Sequence, residues 1–377
     1  MIRRPLLLAS ALLAALGLSA CKEETAPQTT AKSAAETPAA GVPATGSPAA
    51  ESFHWKMVTA WPKNYPGLGT AAERLAERVK TMSNGRLTIK VYAGGELVPP
   101  LEVFDTVSRG TAELGHGAAY YWKGKVPAAQ FFTAVPFGLS TSEMNAWLSK
   151  GGGQALWEEA YAPYGVKPMV VGNTGMQMGG WYNKEINSLD DLKGLKIRMP
   201  GLGGEVLSKL GATTVNLPGG EVFTALQTNA IDASDWVSPY NDLAFGLNKA
   251  AKFYYYPGWQ EPQAVLELLV NQKAYDSLPA DLQAILTEAS RAANQDMLDD
   301  YVYHNAIALE ELKQQGTQLK RFPDEVLAAL HRESAVVLDD LAAQSELNGR
   351  IWASMQAFQA QVSQMHQLSE KELYNWR

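Results

Sequence analysis

Leu189-Asp190-Asp191-Leu192-Lys193-Gly194-Leu195-Lys196-Ile197-Arg198-Met199-Pro200-Gly201 holds a strand, its stop and a candidate anion-binding side chain. Residues 195–199 predict a strand, and Pro200-Gly201 ends it. Gly201-Leu202-Gly203-Gly204 then leads into a predicted helix at 204–210. A glycine-rich junction between strand and helix can present backbone N–H groups to an anion, although glycines alone are a weak signal. Arg198 ends the strand. A guanidinium there can hold a carboxylate with two parallel hydrogen bonds, which an ammonium cannot copy. An ordinary structural salt bridge is the competing role.

The same alternation runs outward in both directions. Downstream come a strand at 213–216, a helix at 220–228 and a strand at 231–235, with a strand at 178–183 just upstream. Nearer the start, 54–60 reads as a strand. Residues 69–82 read as an amphipathic helix, with Ala72, Leu75, Ala76 and Val79 at helical spacing and Ser83-Asn84-Gly85 as its stop. Strands at 86–92 and 113–119 flank a helix at 101–109. Strand–helix alternation predicts an α/β protein with parallel strands. Residues 253–256 and 264–271 look like strands returning the chain to the first unit. Two crossings make a hinge, so ligands are expected between the lobes, beyond the carboxyl ends of the strands. From residue 280 onward the chain reads as helix: 282–314, 324–341 and 351–368. The last carries Ile351, Met355, Phe358, Val362 and Met365 on one face, a surface for its own lobes or for a second subunit.

The N-terminus sets the compartment. Arg3 and Arg4 precede an apolar run at 6–18, and Leu18-Ser19-Ala20 leads into Cys21, the sole cysteine. A charged start, a short apolar stretch and small residues make a secretory signal. The run is too short to span a bilayer, which takes roughly 20 residues. Residues 1–20 are therefore expected to be a lipoprotein signal peptide, with Cys21 acylated as the lipid anchor. Residues 22–51 are mostly Ala, Thr, Pro, Glu, Ser and Gly, too polar to offset their ordering entropy. A linker of this length reaches about 30 Å. Lobes are expected at 52–172 and 173–256, with a return to the first at 257–315 and C-terminal helices at 316–377.

Composition and missing motifs exclude much. Losing Arg3 and Arg4 lowers the basic count of 32 by two against 39 acidic residues, a net charge of about −9. Nucleic acid, which wants a basic face, is not an expected partner. No disulfide can form within the chain. The five histidines, His54, His116, His304, His331 and His366, form no ligand spacing. No Walker loop, nucleophile elbow or EF-hand loop is present. An enzyme is the minority expectation.

Two further stretches complete the pattern: Asn173-Thr174-Gly175-Met176-Gln177-Met178-Gly179-Gly180-Trp181, and Glu221 through Asp235-Trp236. With the 189–201 stretch they resemble the solute-binding proteins of tripartite ATP-independent periplasmic (TRAP) transporters. The Gln-x-Gly-Gly-Trp, Asp-Trp and Tyr254-Tyr255-Tyr256-Pro257-Gly258-Trp259 segments resemble the branch that binds 2-oxoacids. The resemblance implies a two-lobed periplasmic binding protein with hinge-crossing strands and a long C-terminal helical region. It implies closure on an organic acid held together with a metal cation. Arg198, Gln177, Trp236, Tyr120 and Tyr121 would then hold the ligand, and Gln177, Asp235, Trp236 and Gln260 the metal. The branch carries glutamate where this chain has Asp235. In a closed cleft, Arg198, Asp235 and a monocarboxylate sum to −1, so a cation removes the penalty. Sodium or calcium, both hard ions, are the candidates.

The expected protein is thus a periplasmic, lipid-anchored receptor for a small 2-oxo or 2-hydroxy monocarboxylate such as pyruvate or lactate. It would hand the acid to a TRAP permease in the membrane and pair as a homodimer. An organic-acid sensor and a metal-dependent lyase acting on an oxoacid are the alternatives.

Overall fold

The computed structural model describes residues 51–377; the signal, Cys21 and nearly all of the linker lie outside the described residues. Eleven strands form two sheets among the described residues. They are β1 (Phe53–Thr59), β2 (Leu87–Tyr92), β3 (Leu114–Gly117), β4 (Val166–Asn173), β5 (Gly180–Tyr182), β6 (Lys196–Arg198), β7 (Thr213–Val215), β8 (Ala233–Ser234), β9 (Phe253–Tyr256), β10 (Val265–Asn271) and β11 (Gln318–Arg321). One sheet has the order β2-β1-β3-β10-β4 and the other β11-β9-β5-β8-β6-β7. Each is the spine of one lobe of an α/β periplasmic binding protein.

Local sequence accounts for the outer strands. The helix Leu68–Met82 buries Leu75, Ala76 and Val79 and ends at Ser83. Asn84 and Gly85, both at positive φ, then turn the chain into β2, which pairs parallel with β1. All seven residues of β10 are buried, as its nearly unbroken apolar run Val265-Leu266-Glu267-Leu268-Leu269-Val270 requires of an inner strand.

The sheets are mixed rather than parallel. β10 runs antiparallel to both β3 and β4, and β5 antiparallel to both β8 and β9. The crossings explain this. β4 leaves the five-stranded sheet through the cleft and β10 enters it there, so the two must oppose. β5 and β9 stand in the same relation in the other sheet. β9, expected to return the chain, stays in the six-stranded sheet; the return is made by residues 257–264. A second correction concerns the C-terminal region, which is not all helix. Gly316, at φ 87°, ends the long helix Ala280–Gln314, and β11 follows as an edge strand parallel to β9.

That helix has 35 residues, about 52 Å at 1.5 Å per residue. Leu282, Leu286, Ala289 and Ala293 bury against the five-stranded sheet in a core with Met57, Leu75 and Leu268. Its far end reaches the other lobe, where Asn248 donates to Gln315 at 2.6 Å. Many aromatic residues are packing. Phe132 stacks on Trp147 and Trp157 at 5.9 and 5.2 Å, and Trp181 on Tyr254 at 4.1 Å.

Gly180 is a tight backbone approach at the cleft. Its φ is 105°, and a Cβ there would lie 2.7 Å from the Ser234 carbonyl oxygen. Gly180→Ala must therefore push β5 from β8. We expect it to cost about 1–3 kcal/mol, read as a lower urea midpoint; an unchanged midpoint would show that the pair can part freely.

Candidate functional site

Arg198 stands at the end of β6 with its side chain 1% exposed. Nη1 donates to the Asp235 carbonyl at 3.0 Å and to its carboxylate at 3.4 Å; Nε donates to the Leu217 carbonyl at 3.3 Å. Nη2 reaches across the cleft to the Tyr121 hydroxyl at 3.4 Å. The Trp236 ring covers the guanidinium, 5.1 Å from its centroid. Arg198 is thus pinned on one edge, while other N–H groups of the fork remain for a ligand. Asp235, just past β8, is fully buried and caps no helix. Gln260 donates to its other carboxylate oxygen at 2.8 Å.

The two crossing segments bring further polar groups. Gln177 uses its amide N–H on Thr174 at 3.2 Å, and Gln260 shares its own between Asp235 and the Met178 carbonyl, both at 2.8 Å. Their amide oxygens, and Oε2 of Glu261, are buried with no hydrogen-bond partner. Three orphaned acceptors beside a buried carboxylate are costly unless a cation takes them. Oxygen donors of this kind suit a hard ion. The residues present therefore fit sodium or calcium, with Glu261 added to the expected set.

Arg198, Gln177 and Trp236 border a cavity of about 10 Å³ with Tyr120, Tyr121 and Trp61, room for about one water. Even a small acid therefore needs the lobes to part or the aromatic wall to shift before it can enter. A sequence model of DctP, the bacterial extracellular solute-binding protein family 7, matches residues 57–345. The chain belongs to this family.

A monocarboxylate 2-oxoacid-binding periplasmic protein of Nostoc sp. PCC 7120 is 45% identical over 324 residues, covering 85% of this chain and 88% of that protein. A TRAP periplasmic solute-binding protein of Pseudoalteromonas atlantica T6c, solved with bound sodium and pyruvate, is 43% identical with a TM-score of 0.84. The match covers 86% of this chain and 99% of that one. One from Colwellia psychrerythraea, solved with calcium and pyruvate, is 43% identical with a TM-score of 0.85, covering 87% and 100%. DctP proteins are periplasmic receptors for transporters rather than enzymes. No helix among the described residues is long and apolar enough to cross a membrane.

Within this DctP chain, Trp122 leaves the aromatic wall for the core, where its indole donates to Tyr161 at 3.0 Å. The glycines after β6 serve close packing: Gly201 meets the Tyr120 ring and Gly203 meets Gln260. Trp61 and Glu261 escaped the sequence reading. Trp61 donates to Nδ1 of His116, a buried histidine whose pKa burial pushes down to about 4 and which is therefore neutral. Glu261 follows Gln260 directly; a carboxylate between Pro257 and Pro262 beside Trp259 was its one visible signal.

Burial pushes Asp235 up to about 6, against the pull of Arg198 and Gln260. Burial, then the charge of Asp235, drives Glu261 well above the carboxylate range, opposed by Arg198, Tyr120 and Gln177. Burial also raises Asp242, behind the site, to about 7. Raised carboxyls bind more protons in the folded state than in the unfolded one, so stability is lost as pH climbs. In chelated potassium buffer the melting temperature should fall between about pH 4 and 7 as Asp235 and Asp242 ionise. Calcium should raise it more at pH 8 than at pH 5, because a cation competes with the proton on Asp235. Scanning calorimetry across that range checks both; a calcium shift independent of pH would disconnect Asp235 from the ion.

Proposed function

We propose that this chain is the receptor of a TRAP transporter for a small 2-oxo or 2-hydroxy monocarboxylate, pyruvate or lactate in type. It captures the acid with sodium or calcium between its lobes and delivers it to the membrane permease subunits. Cys21 anchors it by lipid at the periplasmic face of a membrane, and it catalyses nothing. The observation that carries this reading is the set of unpartnered oxygens beside Arg198. The pyruvate, sodium and calcium in the similar structures support it.

Arg198 pairs with the ligand carboxylate, and Tyr120 and Tyr121 close the opposite wall. Gln177, Asp235, Gln260, Glu261 and the Trp236 carbonyl supply oxygens to the cation, which offsets the charge that ligand and protein carboxylates would bring together. Arg198, Asp235, Glu261 and a monocarboxylate sum to −2, which calcium neutralises. Sodium does so when one of the two protein carboxyls keeps its proton. We take 52–172 and 257–315 as one lobe, 173–256 as the other and 316–377 as the C-terminal region. In that last region Met365, Leu368, Leu373, Tyr374 and Trp376 are exposed, and we assign this face to a second copy of the chain.

Calorimetric titration with pyruvate and lactate tests the reading in sodium, in calcium and in chelated potassium buffer. One-site binding that needs a cation is expected, and silence in all three buffers would end the proposal. Arg198→Ala should weaken binding by about 2–5 kcal/mol, because a buried carboxylate loses its partner. Arg198→Lys should recover only part of that. A sedimentation mass of one chain at micromolar concentration would remove the dimer.

A further inference from the structure

A second set of contacts joins the lobes, meeting the ligand cradle only at Trp236, and it converges on that residue and the short helix Pro239–Ala244. Asn241 and Asp242 are consecutive, buried and oppositely directed. Asp242 ties the helix to the six-stranded lobe: it accepts from Trp181 at 2.8 Å, Tyr254 at 2.6 Å and the Val237 N–H at 3.2 Å. Asn241 faces the other lobe. Its amide donates to the Pro66 carbonyl at 2.7 Å, its side-chain oxygen accepts from Tyr301, and its carbonyl accepts from the Tyr65 hydroxyl at 2.7 Å.

The Tyr65 hydroxyl also accepts from the Trp236 indole at 2.8 Å. That ring lies over Arg198. Tyr65 therefore joins the cover of the guanidinium to the opposite lobe, while its own ring stacks on Phe245 at 4.2 Å. The loop is built for this approach. Gly67 has φ 69°, and a Cβ there would lie 2.3 Å from the Tyr301 ring. Tyr65, Asn241 and Asp242 are not among the residues assigned to the acid or the cation; of this set only Trp236 belongs to the cradle.

We propose that Tyr65 and Asn241 form a closure clasp. They are positioning residues that hold the Trp236 indole over Arg198 in the shut state and so set how slowly a bound carboxylate leaves. The inference rests on the organic-acid reading above. Opening returns the Trp236 N–H to water, while the Asn241 carbonyl keeps the Phe245 N–H at 3.0 Å in any case. Losing the Tyr65 hydroxyl therefore penalises only the closed state, where the buried indole N–H would be left unpaired.

Tyr65→Phe keeps the ring and deletes the hydroxyl. In the full-length protein with calcium, stopped-flow tryptophan fluorescence follows pyruvate release. We expect release about tenfold faster, an association rate within about twofold of wild type, and an unchanged melting temperature without ligand. A merely structural role would lower the melting temperature and leave release alone. Asn241→Ser, which shortens the amide away from Pro66 and Tyr301, should speed release similarly. Wild-type release rates in both variants overturn the clasp. If wild-type protein gives no pyruvate signal with either cation, the ligand reading has failed instead. The clasp is then read from hydrogen exchange at the amides of residues 239–245 without ligand. Faster exchange in Tyr65→Phe supports it, and unchanged exchange overturns it.

Discussion

Asp235 sits where a carboxylate is costly, fully buried with one guanidinium beside it, and the architecture around the cleft follows from that. Arg198 spends its shortest bond to this residue on the backbone carbonyl rather than the carboxylate, 3.0 against 3.4 Å. Gln260 satisfies one carboxylate oxygen. What remains is a negative charge, a second buried carboxyl at Glu261 and amide oxygens facing inward without donors. Burying charge without full pairing is among the largest penalties a fold can carry. On the proposed reading, a cation and an anion complete such a site together.

The positions of these groups come from the crossings. Gln177 lies on the segment leaving β4, and Gln260 and Glu261 on the segment leading to β10. Asp235 and Arg198 stand at strand ends in the six-stranded lobe. The Gln177 N–H donates to the Glu261 carbonyl at 3.3 Å, and the Met178 N–H to the Val237 carbonyl at 3.0 Å, so both segments and β8 are laced together at the hinge. A hinge is where lobes move least against each other. Oxygens placed there keep their spacing while the aromatic wall at Tyr120 and Tyr121 travels.

Much of this was legible because it is local. Arg198 before Pro200-Gly201, Asp235 before Trp236 and the paired tyrosines after β3 each announce themselves by residue type at a strand end; the structure brings Arg198, Trp236 and both tyrosines to one cavity, with Asp235 buried against Arg198. Strand direction was not legible, since antiparallel pairing here arises from where the chain crosses the cleft, a property of the whole path. β11 was hidden for a similar reason: Gln318-Leu319-Lys320-Arg321 has little of its own to mark a strand, and the free edge of β9 recruits it. Glu261 was missed because a glutamate is usually solvated, and only the fold shows this one to be 3% exposed.

A receptor of this kind must shut on its ligand and yet stay open without it, and the structure contains contacts of both signs. The orphaned oxygens and buried carboxyls destabilise an empty closed state, because water satisfies them once the lobes part. Tyr65, Asn241 and the stacked Phe245 favour closure with or without ligand. A carboxylate and a cation abolish the first set and leave the second untouched. Ligand can shift the lobes only by its differential affinity for the two states. On the proposed assignment that difference includes the penalty relieved at Asp235, Glu261 and the two glutamines. The polar imperfection of the empty cleft is therefore the source of its switching, and filling those positions with well-packed apolar side chains would give a more stable protein that no longer responds to an acid.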